Sequence, residues 1–149
     1  MRPLALYEFG IALANAAAAE VERRTAVNRI YYGLHHEACC RYFRQTPTPP
    51  ALDRNRRHTE LRRRFSDATN PAMSLVGTYL GQLERLRAEA DYQLPAGSMV
   101  LGGRPCSDVQ VLAEASRKGA LLLQALETLS PGQATDGCPC LAISSFSGT

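Results

Sequence analysis

Apolar residues recur every three to four positions along most of this chain, and that spacing predicts helices rather than strands. Leu4, Tyr7, Ile11 and Ala14 mark a first helix from Pro3 to about Ala17, with proline at a helix start that tolerates it. The run Ala16–Ala19 fits either a turn or a continued helix. A second helix runs from about Glu20 to Arg44 and stops before Pro47, Pro49 and Pro50, which cannot continue it. Residues 45–55 read as a proline-rich loop, and a third helix spans about Arg57 to Asp67. Asn70-Pro71 breaks the chain again.

Met73, Val76, Leu80, Leu83, Leu86 and Ala90 form the apolar stripe of a fourth helix, from about Ala72 to Tyr92. The stretch Leu94–Pro105 reads as a loop. Ser107 or Asp108 then caps a fifth helix that runs to about Leu129. Val109, Leu112, Ser116, Ala120, Leu123 and Leu126 are its expected inward face. No strand pattern and no internal repeat stand out. These elements predict an all-α, up-and-down bundle of about five helices over residues 1–130. Residues 131–149 are rich in Pro, Gly, Ser and Thr and are expected to form a disordered or loosely docked C-terminal tail.

Composition narrows the class. The chain has 149 residues with 45% hydrophobic content, enough for one core. No run of about 18 apolar residues appears, so no membrane span is expected, and the N-terminus lacks the pattern of a secretory leader. The net charge is +3, and of 17 basic residues only Lys118 is lysine. Arginine favours two-pronged phosphate contacts, although codon bias in a GC-rich genome would give the same composition. Five cysteines with no four-ligand spacing argue against a structural zinc site. Reduced thiols and a cytoplasmic location are the expectation.

The candidate chemistry lies on the second helix. At about 100 degrees per residue, His36 falls about 20 degrees from Arg29. Gly33 and Cys40 lie within about 40 degrees of the same line and Tyr32 about 60 degrees away. Val27, Ile30, Leu34 and Ala38 gather on the opposite side and should face the core. A permanent guanidinium and an imidazole that titrates near neutrality can hold a phosphate and move a proton beside it. Ala26, Gly33 and Cys40 recur at seven-residue spacing and would admit a close helix; a second copy of the chain is one candidate. The bland readings are a salt bridge from Arg29 to Asp91 or Glu37 and a surface His36 bonded to a neighbour. Arg24, about 140 degrees from Arg29, suits a salt bridge at the core edge.

The segment Arg24-Thr25-Ala26-Val27-Asn28-Arg29-Ile30-Tyr31-Tyr32-Gly33-Leu34-His35-His36-Glu37-Ala38 resembles the signature helix of HEPN domains. Arg24, Arg29, Tyr31, Tyr32 and His36 match position for position, and His35 stands where an aromatic is usual. His58-Thr59-Glu60-Leu61 and Leu86-Arg87-Ala88-Glu89-Ala90-Asp91-Tyr92 resemble two further motifs of that superfamily, in the same order. The resemblance runs from about Tyr7 to Leu126. It implies a helical bundle that usually dimerises. In many members the Arg and His form a metal-independent endoribonuclease at the dimer cleft, with no cofactor. Many are toxins or defence proteins encoded beside a nucleotidyltransferase-type antitoxin. Other members only bind nucleotides or RNA, or join a larger assembly.

On the catalytic reading Arg29 holds the phosphate and His36 moves the proton. Tyr32 stacks on a base or fills the seam. Arg54, Arg56, Arg57, Arg62, Arg63 and Arg64, with His58 among them, form the densest basic cluster. Arg56, Arg57, His58, Arg62 and Arg63 are its candidate RNA contacts, against the plainer reading of a solvated helix face. Asp91 and Tyr92 are expected to fasten helix four to helix two.

Overall fold

The computed structural model describes residues 2–45, 56–93 and 99–129. Five helices follow one another: α1 (Pro3–Ala16), α2 (Glu20–Gln45), α3 (Arg57–Ser66), α4 (Pro71–Tyr92) and α5 (Asp108–Leu129). The all-α bundle expected from the sequence is the fold. The tail 131–149 lies outside the described residues.

Local chemistry sets the helix ends. Ala17 is extended, so α1 stops inside the alanine run. The Glu22 carboxylate accepts from the Ala18 and Ala19 amides at 2.8 and 3.0 Å and starts α2. Asn70 caps α4 through the Ala72 amide, with Pro71 in the first turn. Ser107 and Gln110 form a reciprocal cap on α5: the Gln110 amide donates to Ser107 Oγ at 3.2 Å and the Ser107 amide to Gln110 Oε1 at 2.8 Å.

α2 is the central element and packs against α1, α4 and α5, while α3 lies on α4. Val27, Ile30, Leu34 and Ala38 are at most 1% exposed, as their shared face predicts. The α4 stripe from Val76 to Ala90 is buried too, with Met73 at its edge. Two glycines bring α1 onto α2. A methyl group on Gly33 would overlap the Tyr7 backbone, and one on Gly10 would come within 2.8 Å of the Ile30 amide nitrogen. The helix that Gly33 admits is therefore α1 of the same chain rather than a second copy. Gly33 costs about 0.5–1 kcal/mol of helix stability relative to alanine, and the close approach of α1 offsets it.

Three expectations need correction. Residues 94–105 are not all loop: Val100–Leu101 and Arg104–Pro105 pair antiparallel. Gly102 and Gly103, both at positive φ, supply a two-residue turn, and two-residue strands leave no alternation to read. The inward face of α5 is turned. Val111, Leu112, Ala115, Gly119, Leu122 and Leu126 are buried, while Val109 is 55% exposed and Ala120 is exposed. Small residues decide that face, because Gly119 lets α5 approach Ile30 and Tyr7. Finally, Cys39 and Cys106 carry free thiols but Cys40 is disulfide-bonded. Reduced thiols throughout do not describe the chain. Cys138 and Cys140 lie outside the described residues.

Candidate functional site

Arg29 stands exposed on α2. The two acids nearest in sequence logic are occupied elsewhere. Glu37 is buried in an ion pair with Arg41 at 2.7 Å. Arg41 in turn donates to the Leu126 carbonyl at 2.6 Å and ties α2 to α5. Asp91 accepts from Asn28 Nδ2 at 3.1 Å and from Arg87 at 3.2 Å. Among the described residues Arg29 has no hydrogen bond or ion pair. A cation left in this state is available to an anion from outside.

His36 lies two turns further along and is partly buried. Its ring sits 6.4 Å from Tyr32 and 5.7 Å from His35, centroid to centroid. Burial, and then the nearby Arg57 guanidinium, pushes its pKa below the usual histidine value. The imidazole is therefore neutral near pH 7, the form that accepts a proton.

All three histidines of the chain meet here. His58, in the first turn of α3, stacks on His35 with ring centroids 4.1 Å apart. The Tyr31 hydroxyl lies 2.6 Å from His58 Nδ1 and fixes that ring. His35 is 2% exposed, and neither ring nitrogen has a partner among the described residues. Burial lowers its pKa well below the ordinary value, and His58, His36 and Arg57 add to the effect. Burial lowers His58 too, with Glu84 opposing. The rings stack rather than converge. Among the described residues no group of three or more His, Cys, Asp or Glu is placed to hold a metal ion.

Arg87 of α4 organises the other flank. Its guanidinium lies over the rings of Tyr31, Tyr32 and Tyr92 at 5.5, 5.6 and 5.6 Å. It donates to the Tyr32 hydroxyl at 3.2 Å. Asp91 does fasten α4 to α2, through Asn28. Tyr92 is 68% exposed, and its ring lies beside Arg87 on its own helix. Arg24 pairs with Glu20 at 2.7 Å and donates to the Ala90 carbonyl, the expected core-edge role.

Of the residues singled out in the sequence, Tyr32, His36, Arg57 and His58 come together around the ring cluster. Arg29 continues the ridge outward. The others point elsewhere. Arg56 and Arg63 are exposed around a shallow hollow with Thr59 and Glu60. Arg62 is paired with Glu84 at 3.5 Å. Arg64 bonds Glu60 and the Tyr42 hydroxyl and has a structural role. Arg54 lies outside the described residues. Sequence reasoning missed the Tyr31–His58 bond, the burial of His35 and the hub at Arg87. Tyr31 and His35, four apart on α2, were the available signal for a shared face.

No match was found. Comparisons with protein-family models, curated proteins and solved structures return nothing similar to this chain. The geometry and the sequence motifs are thus the whole basis for a functional reading. No helix among the described residues is long and apolar enough to cross a membrane.

Proposed function

We propose that this chain is an HEPN-type endoribonuclease that works without a metal, with Arg29 and His36 as its catalytic pair. The observation that carries the reading is the state of that pair. Arg29 is exposed and uncommitted while both candidate carboxylates are bound to other residues. His36, two turns along the same helix, is shifted towards its neutral form by burial.

The chemistry follows from those two states. A neutral His36 takes the proton of a ribose 2′-hydroxyl. The 2′-oxygen bonds to phosphorus as the bond from phosphorus to the 5′-oxygen breaks. Arg29 balances the charge that builds on the phosphoryl oxygens. The leaving 5′-oxygen needs a proton from a second acid. His35 is sealed and His58 Nδ1 is engaged by Tyr31. A second copy of the chain brings its own His36 into a shared cleft, where the RNA phosphate favours the imidazolium form, and that imidazolium supplies the proton. The products carry a 2′,3′-cyclic phosphate and a 5′-hydroxyl. Tyr32, fixed by Arg87, offers a ring to a base, and Arg57 adds positive charge. Such an enzyme acts on RNA in the cytoplasm, as a toxin or defence effector, with a nucleotidyltransferase-type antitoxin as its partner.

The engaged state of His35 and His58 also favours a second reading. If the chain stays monomeric, each molecule offers one accessible proton carrier, and the site binds RNA or nucleotide without cutting it. Incubation of total RNA with chelator present, followed by end-group analysis, separates the two. Cyclic-phosphate ends that disappear in Arg29→Ala and His36→Ala indicate the nuclease. RNA binding with intact RNA indicates the binding module.

A further inference from the structure

A second basic site lies further along α3. Between α3 and α4 runs a groove of about 470 Å³. Arg62, Arg63 and Arg85 surround it, and no carboxylate lines it. Glu84 outside the lining pairs with Arg62 at 3.5 Å. Arg63 and Arg85 are exposed and have no ion pair among the described residues. Three guanidiniums around one hollow repel one another, and an anion placed between them relieves that repulsion.

The backbone deepens the groove. Gly77 and Gly81 lie along α4 at helical spacing and bring α3 close. A methyl group at Gly77 would overlap Ser66, and one at Gly81 would press on Arg62 at 3.1 Å. The exposed hydroxyls of Thr59 and Ser66 also line the groove. Gln82 also lines the groove, and its side-chain oxygen, an acceptor, is buried with no partner among the described residues. A ligand that offers both an anion and a hydrogen-bond donor satisfies the arginines and that oxygen together. A nucleotide has that chemistry.

We propose that this groove binds the phosphodiester backbone of a single strand that also passes the residues at Arg29 and His36. The proposal rests on the ribonuclease reading for the identity of the strand. Its geometric support is continuity along α3. His58 packs on the other two histidines, and Arg62 follows it by four residues, just over one helical turn or about 6 Å along α3. A strand that runs from the His36 ridge along α3 reaches the groove. Arg85 and Gln82 then belong to the strand's path, although they lie on α4.

The test uses a fluorescent, uncleavable 2′-O-methyl RNA oligonucleotide and the full chain. Binding is measured by anisotropy across a salt series, beside a cleavage assay on ordinary RNA. Arg63→Ala/Arg85→Ala is expected to weaken binding by about tenfold or more and to flatten the salt dependence by about 1.4 in log–log slope, the share of two phosphate contacts on a single strand. Arg63→Lys/Arg85→Lys should keep most of the slope. Unchanged affinity and slope in the double alanine variant overturn the groove while leaving cleavage untouched. Loss of binding in that variant, in a protein that never cuts RNA, keeps the groove and removes the nuclease. Inorganic phosphate is the control ligand. If the oligonucleotide gains nothing over it at this groove, the site takes free phosphate and the strand assignment fails.

Discussion

His35 and His58 lie ring on ring, with centroids 4.1 Å apart, one from the middle of α2 and the other from the first turn of α3. This contact joins α3 to the central helix, and burial favours the neutral form of both rings. A proton on either would be buried against its neighbour, with Arg57 nearby and only Glu84 to oppose it.

The consequence for pH has a definite sign. All three histidine pKa values lie below the ordinary value in the folded chain. The unfolded chain therefore binds more protons below about pH 6.5, and stability falls as pH drops through that value towards the folded pKa values. The urea midpoint should be lower at pH 5 than at pH 7.5. His35→Phe, which keeps a stacked ring and removes one titrating group, should reduce that difference. Equal midpoints at the two pH values in the wild type would refute the buried neutral stack.

Gly33 sets the fit of α1 on α2. Alanine at that site improves intrinsic helix propensity but drives a methyl group into the Tyr7 backbone. Gly33→Ala should destabilise the fold by about 1–3 kcal/mol, the usual cost of overpacking, read from denaturant unfolding. A neutral or stabilising result would mean that α1 docks elsewhere.

Arg87 serves by shape as well as charge. It lies over three tyrosine rings and bonds both Tyr32 and Asp91. A lysine keeps the charge and loses the planar fork. Arg87→Lys should cost about 1–2 kcal/mol of stability and should weaken RNA binding through a loosened Tyr32. Thermal melts and anisotropy measure the two effects, and wild-type values in both would show that Arg87 is an ordinary surface cation.

The sequence revealed the bundle because its helix ends are chemically marked. Pro47, Pro49 and Pro50 follow the end of α2 in the sequence, and Asn70-Pro71 and Ser107 with Gln110 each start a helix. The core face of α2 was legible because Val27, Ile30, Leu34 and Ala38 are large enough or regular enough to give a phase. The α5 face was misread because its buried seam uses Ala115 and Gly119, which carry little hydrophobic signal, beside an almost continuous apolar run from Ala120 to Leu123. The unusual cost of Gly33 could be read from its position, but not which helix it admits.

At the site, the Arg29–His36 ridge follows from helical period alone. The meeting of His35 with His58 does not, since it depends on how α3 lies against α2. Nor does the commitment of Asp91 and Glu37 to other residues, which leaves Arg29 open. The α3–α4 groove was half visible, as arginines on α3, but Arg85 and Gln82 reach it only through the fold.

The most direct test of the account is the single-turnover cleavage rate of a labelled RNA by the wild-type chain, Arg29→Ala and His36→Ala at one pH with chelator present. A DNA strand of the same sequence serves as control. The account predicts wild-type cutting to a 2′,3′-cyclic phosphate and intact DNA. Each variant should lose about 100-fold or more in rate while keeping wild-type helical content by circular dichroism. Folded variants that cut as fast as the wild type would contradict it.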